Sequence, residues 1–174
     1  MTLPPLYDPQ AVRPMWQELA DCAVTPLHTT GEVDDMLARP GTALVVVNSV
    51  CGCAAGSARP GVTRALQHDR IPDQLATVFA GVDRDATDRA RAHMAGIPPS
   101  SPSIALFRDG EVVHMLERRH IERMTPEMVA ANLVEAFEAH CARPGPSVPK
   151  EVYEASARER MCGSGVPRFN PMFR

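Results

Sequence analysis

The run Thr42-Ala43-Leu44-Val45-Val46-Val47 constrains this chain more than any other segment, because it is continuously apolar and rich in β-branched residues. Such a run has no polar face to turn to water, so it predicts a strand buried on both faces inside a parallel sheet. A helix-compatible stretch follows through Ala54, Ala55, Ala58, Val62, Ala65 and Leu66, and Pro60-Gly61 should kink that helix or start its main part. Residues 76–82 predict a second buried strand, and Asp85 is placed to cap a helix from about Ala86 to Met94. Together these segments make a βαβα half.

Upstream, Asp8-Pro9 predicts the start of a helix carrying Val12, Met15, Trp16 and Leu19 at helical spacing. Thr29 and Glu32 have capping-box spacing ahead of Val33, Met36 and Leu37, and Pro40-Gly41 stops that second helix. Downstream, residues 104–107 predict a strand, Asp109-Gly110 a hairpin turn, and residues 111–116 its antiparallel return. Thr125-Pro126 opens a long helix ending near His140, with Met128, Val129, Leu133 and Phe137 expected on its buried side. The expected division is a domain over residues 1–141, then a proline-rich linker and C-terminal tail over 142–174. Within the tail a short helix is expected over residues 150–161. The last segment keeps Phe169, Met172 and Phe173, which suits docking on the domain or on a second copy in a homodimer.

A chain of 174 residues is the size of one ordinary domain. That length buries roughly two-thirds of the unfolded surface, so no disulfide scaffold is required. The formal net charge of −3 gives no basic footprint for a phosphate backbone, and nucleic acid is not expected as a partner. The first residues show no cationic start followed by an apolar run, and no apolar run approaches a membrane span. The expectation is a cytoplasmic protein with no membrane partner.

The five cysteines are Cys22, Cys51, Cys53, Cys141 and Cys162. In a reducing compartment a close pair is more often catalytic or metal-binding than structural. Cys51-Gly52-Cys53 falls between the buried strand and the helix, where free N–H groups and the helix dipole favour a thiolate. On that reading Cys51 is the nucleophile of a thiol–disulfide redox centre and Cys53 the resolving thiol. Gly52 between them tolerates the dihedrals that a tight ring closure demands. A Cys-x-Cys ring is smaller than a Cys-x-x-Cys ring, so its disulfide should be strained and easily reduced, with a potential above thioredoxin's, about −270 mV. Two other readings stand beside this one. The cysteines could be small buried hydrophobes, or the pair could belong to a soft-metal-binding or carrier module, although His68 and His93 lie at no obvious ligand spacing from it.

Ser101-Pro102-Ser103 precedes the predicted strand at 104–107. This arrangement resembles the loop of the thioredoxin fold in which a cis-proline faces the active-site thiol; a cis Pro102 would leave the Ser101 backbone free to pair with an extended substrate. Cys162, within Cys162-Gly163-Ser164-Gly165, is a candidate third redox cysteine, and the other reading is an inert surface residue. Cys22 and Cys141 flank predicted helices and read as packing residues. His114 and His120 titrate near neutrality but carry no assigned role. Glu117-Arg118-Arg119 reads as a solvated charged stretch, or as a site that meets a carboxylate-bearing thiol.

Four segments taken in order resemble the bacilliredoxin family: Val45 to Gly56 with Ala58-Arg59-Pro60, Val78-Phe79-Ala80-Gly81, Pro99-Ser100-Ser101-Pro102-Ser103, and Glu117-Arg118-Arg119-His120. The resemblance implies an α/β, thioredoxin-like fold with a central mixed β-sheet flanked by helices on both faces, here with a C-terminal extension beyond Cys141. It implies removal of bacillithiol, or a similar low-molecular-weight thiol, from mixed disulfides on client proteins, with disulfide isomerase activity in addition. By position, Cys51 resembles the attacking cysteine, Cys53 the second cysteine and Pro102 the loop proline. Gly52, Ser101 and Pro102 form the expected substrate-binding surface. No bound cofactor and no metal are expected, and bacillithiol or a similar thiol enters as co-substrate.

Overall fold

The computed structural model describes residues 2–163, with side chains through residue 161. The first helix, α1 (Pro9–Ala20), starts where Asp8 accepts the Gln10 N–H, and α2 (Thr30–Leu37) carries the complete Thr29–Glu32 capping box. Between them lies β1 (Thr25–Pro26). The apolar run forms β2 (Thr42–Asn48), buried at every residue.

After β2 the chain enters a π-helical turn, Ala54–Ala58, that leads directly into α3 (Arg59–Ala65). Arg59 N–H reaches back five residues to the Ala54 carbonyl. The proline ring at position 60 lacks a donor and crowds the carbonyl four residues earlier, and the widened turn accommodates it. Pro60 therefore sits within a continuous helical segment, near the start of its α-helical part.

β3 (Arg70–Ile71) and β4 (Gln74–Phe79) follow, then α4 (Arg84–Ala92). The second buried strand thus begins and ends earlier than residues 76–82. Gly81, at φ +87°, turns the chain straight after β4, and Val82 and Asp83 donate to the Phe79 carbonyl. The helix consequently starts after Asp83 instead of Asp85, and Asp85 accepts the Leu3 N–H. β5 (Ser103–Arg108) and β6 (Glu111–Leu116) form the expected hairpin, with Asp109 at φ 51° and Gly110 at φ 84°. Positive φ at both turn residues matches the twist of the flanking strands. A short α5 (Arg118–Ile121) leads to α6 (Pro126–His140), capped by Thr125. Met128 on α6 is 51% exposed, contrary to expectation; the helix presents Val129, Leu133, Ala136 and Phe137 inward, and Met128 lies just off that stripe.

The sheet order is β1-β4-β2-β5-β6, with β1, β4 and β2 parallel and β5 and β6 antiparallel to their neighbours. β2 occupies the centre, and its alternate residues supply two cores. Leu44 and Val46 pack with α1, α3 and α6 through Leu19, Val62, Leu66, Leu133 and Phe137. Ala43, Val45 and Val47 pack with α2 and α4 through Val33, Leu37, Ala86 and Ala90. Helices on both faces of a mixed sheet with this order and these directions make a thioredoxin-like α/β fold. No helix among the described residues is long and apolar enough to cross a membrane.

Past Cys141 the chain stays on the domain. β7 (Arg143–Pro144) pairs with β3, Gly145 N–H donates to Asp69, and Ser147 donates from its N–H to Leu66 and from its hydroxyl to Cys22. The final described element, α7 (Lys150–Gly163), buries Ser156 and ties Arg160 to the Thr63 hydroxyl.

Candidate active site

β2 delivers its last residue, Asn48, to the C-terminal edge of the parallel strands, and the chain turns through Ser49 and Val50 into Cys51. The Ala54 and Ala55 N–H groups both donate to the Cys51 carbonyl, at 3.1 and 3.3 Å, so Cys51 stands at the start of a helical turn. Cys51 and Cys53 are half-buried free thiols with their sulfurs 2.9 Å apart, and Ser49 Oγ donates to Cys51 Sγ at 3.2 Å. Gly52 between them is exposed and helical, with open space where a side chain would be. Val50 beside the pair is 39% exposed, an apolar contact at the lip of the site.

The two thiols are electrostatically unequal. Desolvation alone would push the Cys51 thiol up, but hydrogen bonds from Cys53, Ser49 and the Ala54 N–H, with the charge of Arg118, hold it below the usual thiol range. Cys53 is pushed up by desolvation and by its neighbour Cys51, against a smaller opposing pull from Arg118. It also packs against the core layer of α3 and α6. Cys51 is thus the sulfur that ionises first, and Cys53 the one that keeps its proton.

The Ser101–Pro102 peptide is cis, and Pro102 is buried at the start of β5, where Ser103 pairs with Val47. This register sets the proline loop beside the end of β2. Arg118, exposed at the start of α5, lies over that loop, with its N–H donating to Ser100 Oγ at 3.3 Å and its Nη1 to the Ser101 carbonyl at 3.4 Å. Cys51, Cys53, Ser101 and Pro102 are therefore gathered at one edge of the sheet.

The other residues singled out in the sequence fall elsewhere. Cys22 and Cys141 are 0% and 5% exposed; burial pushes Cys22 to about 11 and also raises Cys141. His114 bonds Asn132, and His120 Nδ1 accepts the Glu117 N–H within the cap of α5, so both rings have structural partners. His68 pairs with Glu138 and His93 with Asp34. Among the described residues no group of three or more His, Cys, Asp or Glu side chains is placed to hold a metal ion. Cys162 lies in α7, and its side chain is outside the described residues.

Sequence reasoning missed the support beneath the nucleophile. Arg59, 4% exposed, donates from Nε to Glu18 Oε2 at 3.1 Å and from Nη1 to Asn48 Oδ1 and the Ser49 carbonyl, each at 3.2 Å. The signal was an arginine set among Ala54, Ala58 and Val62, on a helix whose other inward positions are apolar.

A family model described as disulphide isomerase matches residues 7–141. The bacilliredoxin of Cytophaga hutchinsonii is 48% identical over 76% of this chain and 98% of its own length. One from Salinibacter ruber is 52% identical over 92% of this chain and 95% of its own. That span is longer than the first 141 residues, so this relative shares part of the C-terminal extension. Among solved structures, mitochondrial thioredoxin 3 from Saccharomyces cerevisiae aligns over 69% of this chain and 98% of its own, at 14% identity with a TM-score of 0.47; the fold assignment rests instead on strand order and direction. With the family model covering most of the chain and relatives near half identity matched over almost their full length, the chain belongs to the bacilliredoxin family, whose members are thiol–disulfide oxidoreductases.

Proposed function

We propose that this protein removes bacillithiol from mixed disulfides on client proteins in the cytoplasm. The observation that carries the reading is the Cys51 thiol, partly exposed, held below the usual range and set beside the cis Ser101–Pro102 loop. In the first step Cys51 Sγ attacks the bacillithiol sulfur. A bond forms between those two sulfurs, the old disulfide bond breaks, and the client leaves as a thiolate that takes a proton from water. Nothing is oxidised overall, because the disulfide has only moved.

A second thiol must then free Cys51. Cys53, 2.9 Å away, can attack Cys51 Sγ and expel bacillithiol, or a second bacillithiol can do so and leave Cys53 uninvolved. Either way Cys51 carries the small thiol first. Ser101 and Pro102 supply backbone against which an extended client can align, and Gly52 leaves the approach to Cys51 open. Arg118 offers a cation for a carboxylate of the small thiol. The same dithiol suits disulfide isomerisation, which the description of the matching family model names.

The reading is tested by intact-mass spectrometry of Cys53→Ser after mixing with a bacillithiolated protein. One bacillithiol should accumulate on Cys51, and an unmodified Cys51 with the client still bacillithiolated would overturn the reading.

A further inference from the structure

We propose that Ser49 is a catalytic residue that donates its hydroxyl hydrogen to the Cys51 thiolate, and that the buried Arg59 is the positioning residue that holds Ser49 in place. The inference rests on the reading of Cys51 as the attacking sulfur.

A guanidinium buried to 4% exposure is costly to desolvate, and an apolar side chain of similar volume would satisfy the packing more cheaply. The surrounding Ala54, Ala58 and Val62 do satisfy it that way. What the charged fork adds is reach across three elements: Glu18 on α1, Asn48 at the end of β2, and the Ser49 carbonyl in the loop to Cys51. Asn48 is itself fixed, because its Nδ2 donates to the Met15 carbonyl at 3.1 Å. Its Oδ1 accepts both Arg59 and the Ser49 N–H, the latter at 2.9 Å. Ser49 is thereby gripped at both backbone ends, through its N–H by Asn48 and through its carbonyl by Arg59. With the backbone fixed, the hydroxyl is left to point at Cys51 Sγ, 3.2 Å away. The charged and titratable groups facing Cys51 are Cys53 from its own turn and Arg118 from α5, and the one facing Arg59 is Glu18 from α1.

A hydroxyl aimed at a thiolate favours the charged form. That serves the reaction twice, when Cys51 must be ionised to attack and when it departs as a thiolate during reset. Both steps are the sulfur exchange already written, with no added oxidant or reductant.

The test is the pH dependence of Cys51 alkylation by iodoacetamide in the full-length protein, with the modified site identified by peptide mass spectrometry. Ser49→Ala should move the midpoint up by about one pH unit. Arg59→Met should move it the same way, and the double variant should move it no further than Ser49→Ala alone, since both changes remove one hydrogen bond. Arg59→Lys keeps the charge but loses the planar fork, so it too should raise the midpoint; it replaces the Met variant in the cycle if circular dichroism shows that variant unfolded. An unmoved midpoint in Ser49→Ala, additive shifts in the double variant, or wild-type behaviour in Arg59→Lys would overturn the proposal. Failure of the underlying reading looks different: wild-type Cys51 would not be the first thiol to react.

Discussion

Partial burial works against a negative charge on Cys51, yet the sulfur is surrounded by Cys53, Ser49 and the Ala54 N–H as donors, with Arg118 as the nearby cation. The balance has a definite pH consequence. Because the Cys51 thiol is lowered from an ordinary value of 9.0, thiolate is already present below that pH, and activity should rise with pH through the lowered midpoint. Cys53→Ala removes one donor and moves the midpoint up. For each pH unit that the midpoint rises, kcat/KM at pH 6 should fall about threefold: the thiolate fraction drops tenfold, and the more basic sulfur regains part of the loss. The two pH–rate curves should converge above the higher midpoint. Profiles that overlay at all pH values would show that Cys53 does not support the Cys51 thiolate.

At the scale of elements, the segments legible in the sequence are those specified by their own residues. The Asp8 cap, the Thr29–Glu32 box, the Asp109-Gly110 turn and the continuous apolar run of β2 each carry their cause locally. β1, β3 and β7 are two residues long, too short for any alternation to show, and exist because a partner strand lies beside them. Arg59 was hidden for a related reason. Its partners lie on α1 and β2, and nothing in the local spacing brings Glu18 to it. Gly145 shows how tightly one such short pairing is drawn: a Cβ there would collide with the His68 carbonyl and touch Ile71. Since the obstacle is backbone, Gly145→Ala should destabilise the protein by about 1–3 kcal/mol. Thermal unfolding should show this as a Tm lowered by several degrees, and an unchanged Tm would mean the β3–β7 approach relaxes freely.

Over the whole molecule the sheet order assembles the site from separated stretches of chain. β2 carries the cysteine turn out of the centre, β5 brings Pro102 alongside it, α5 adds Arg118, and α1 with α3 builds the floor under Ser49. The segment after Cys141 covers the opposite end of α3, through Ser147 on Leu66 and Cys22 and through Arg160 on Thr63. Deleting residues 142–174 removes several such hydrogen bonds, each worth about 1 kcal/mol net, so the truncated protein should lose about 2–4 kcal/mol in urea unfolding. Its folded fraction should keep the Cys51 chemistry, because none of these contacts touches the cysteine turn. The two thiols hold unequal roles, and turnover of a bacillithiolated protein by the single-cysteine variants measures that inequality directly. Cys51→Ser should release no bacillithiol, whereas Cys53→Ser should still complete the first transfer; full activity in Cys51→Ser would contradict the assignment of Cys51 as the attacking sulfur.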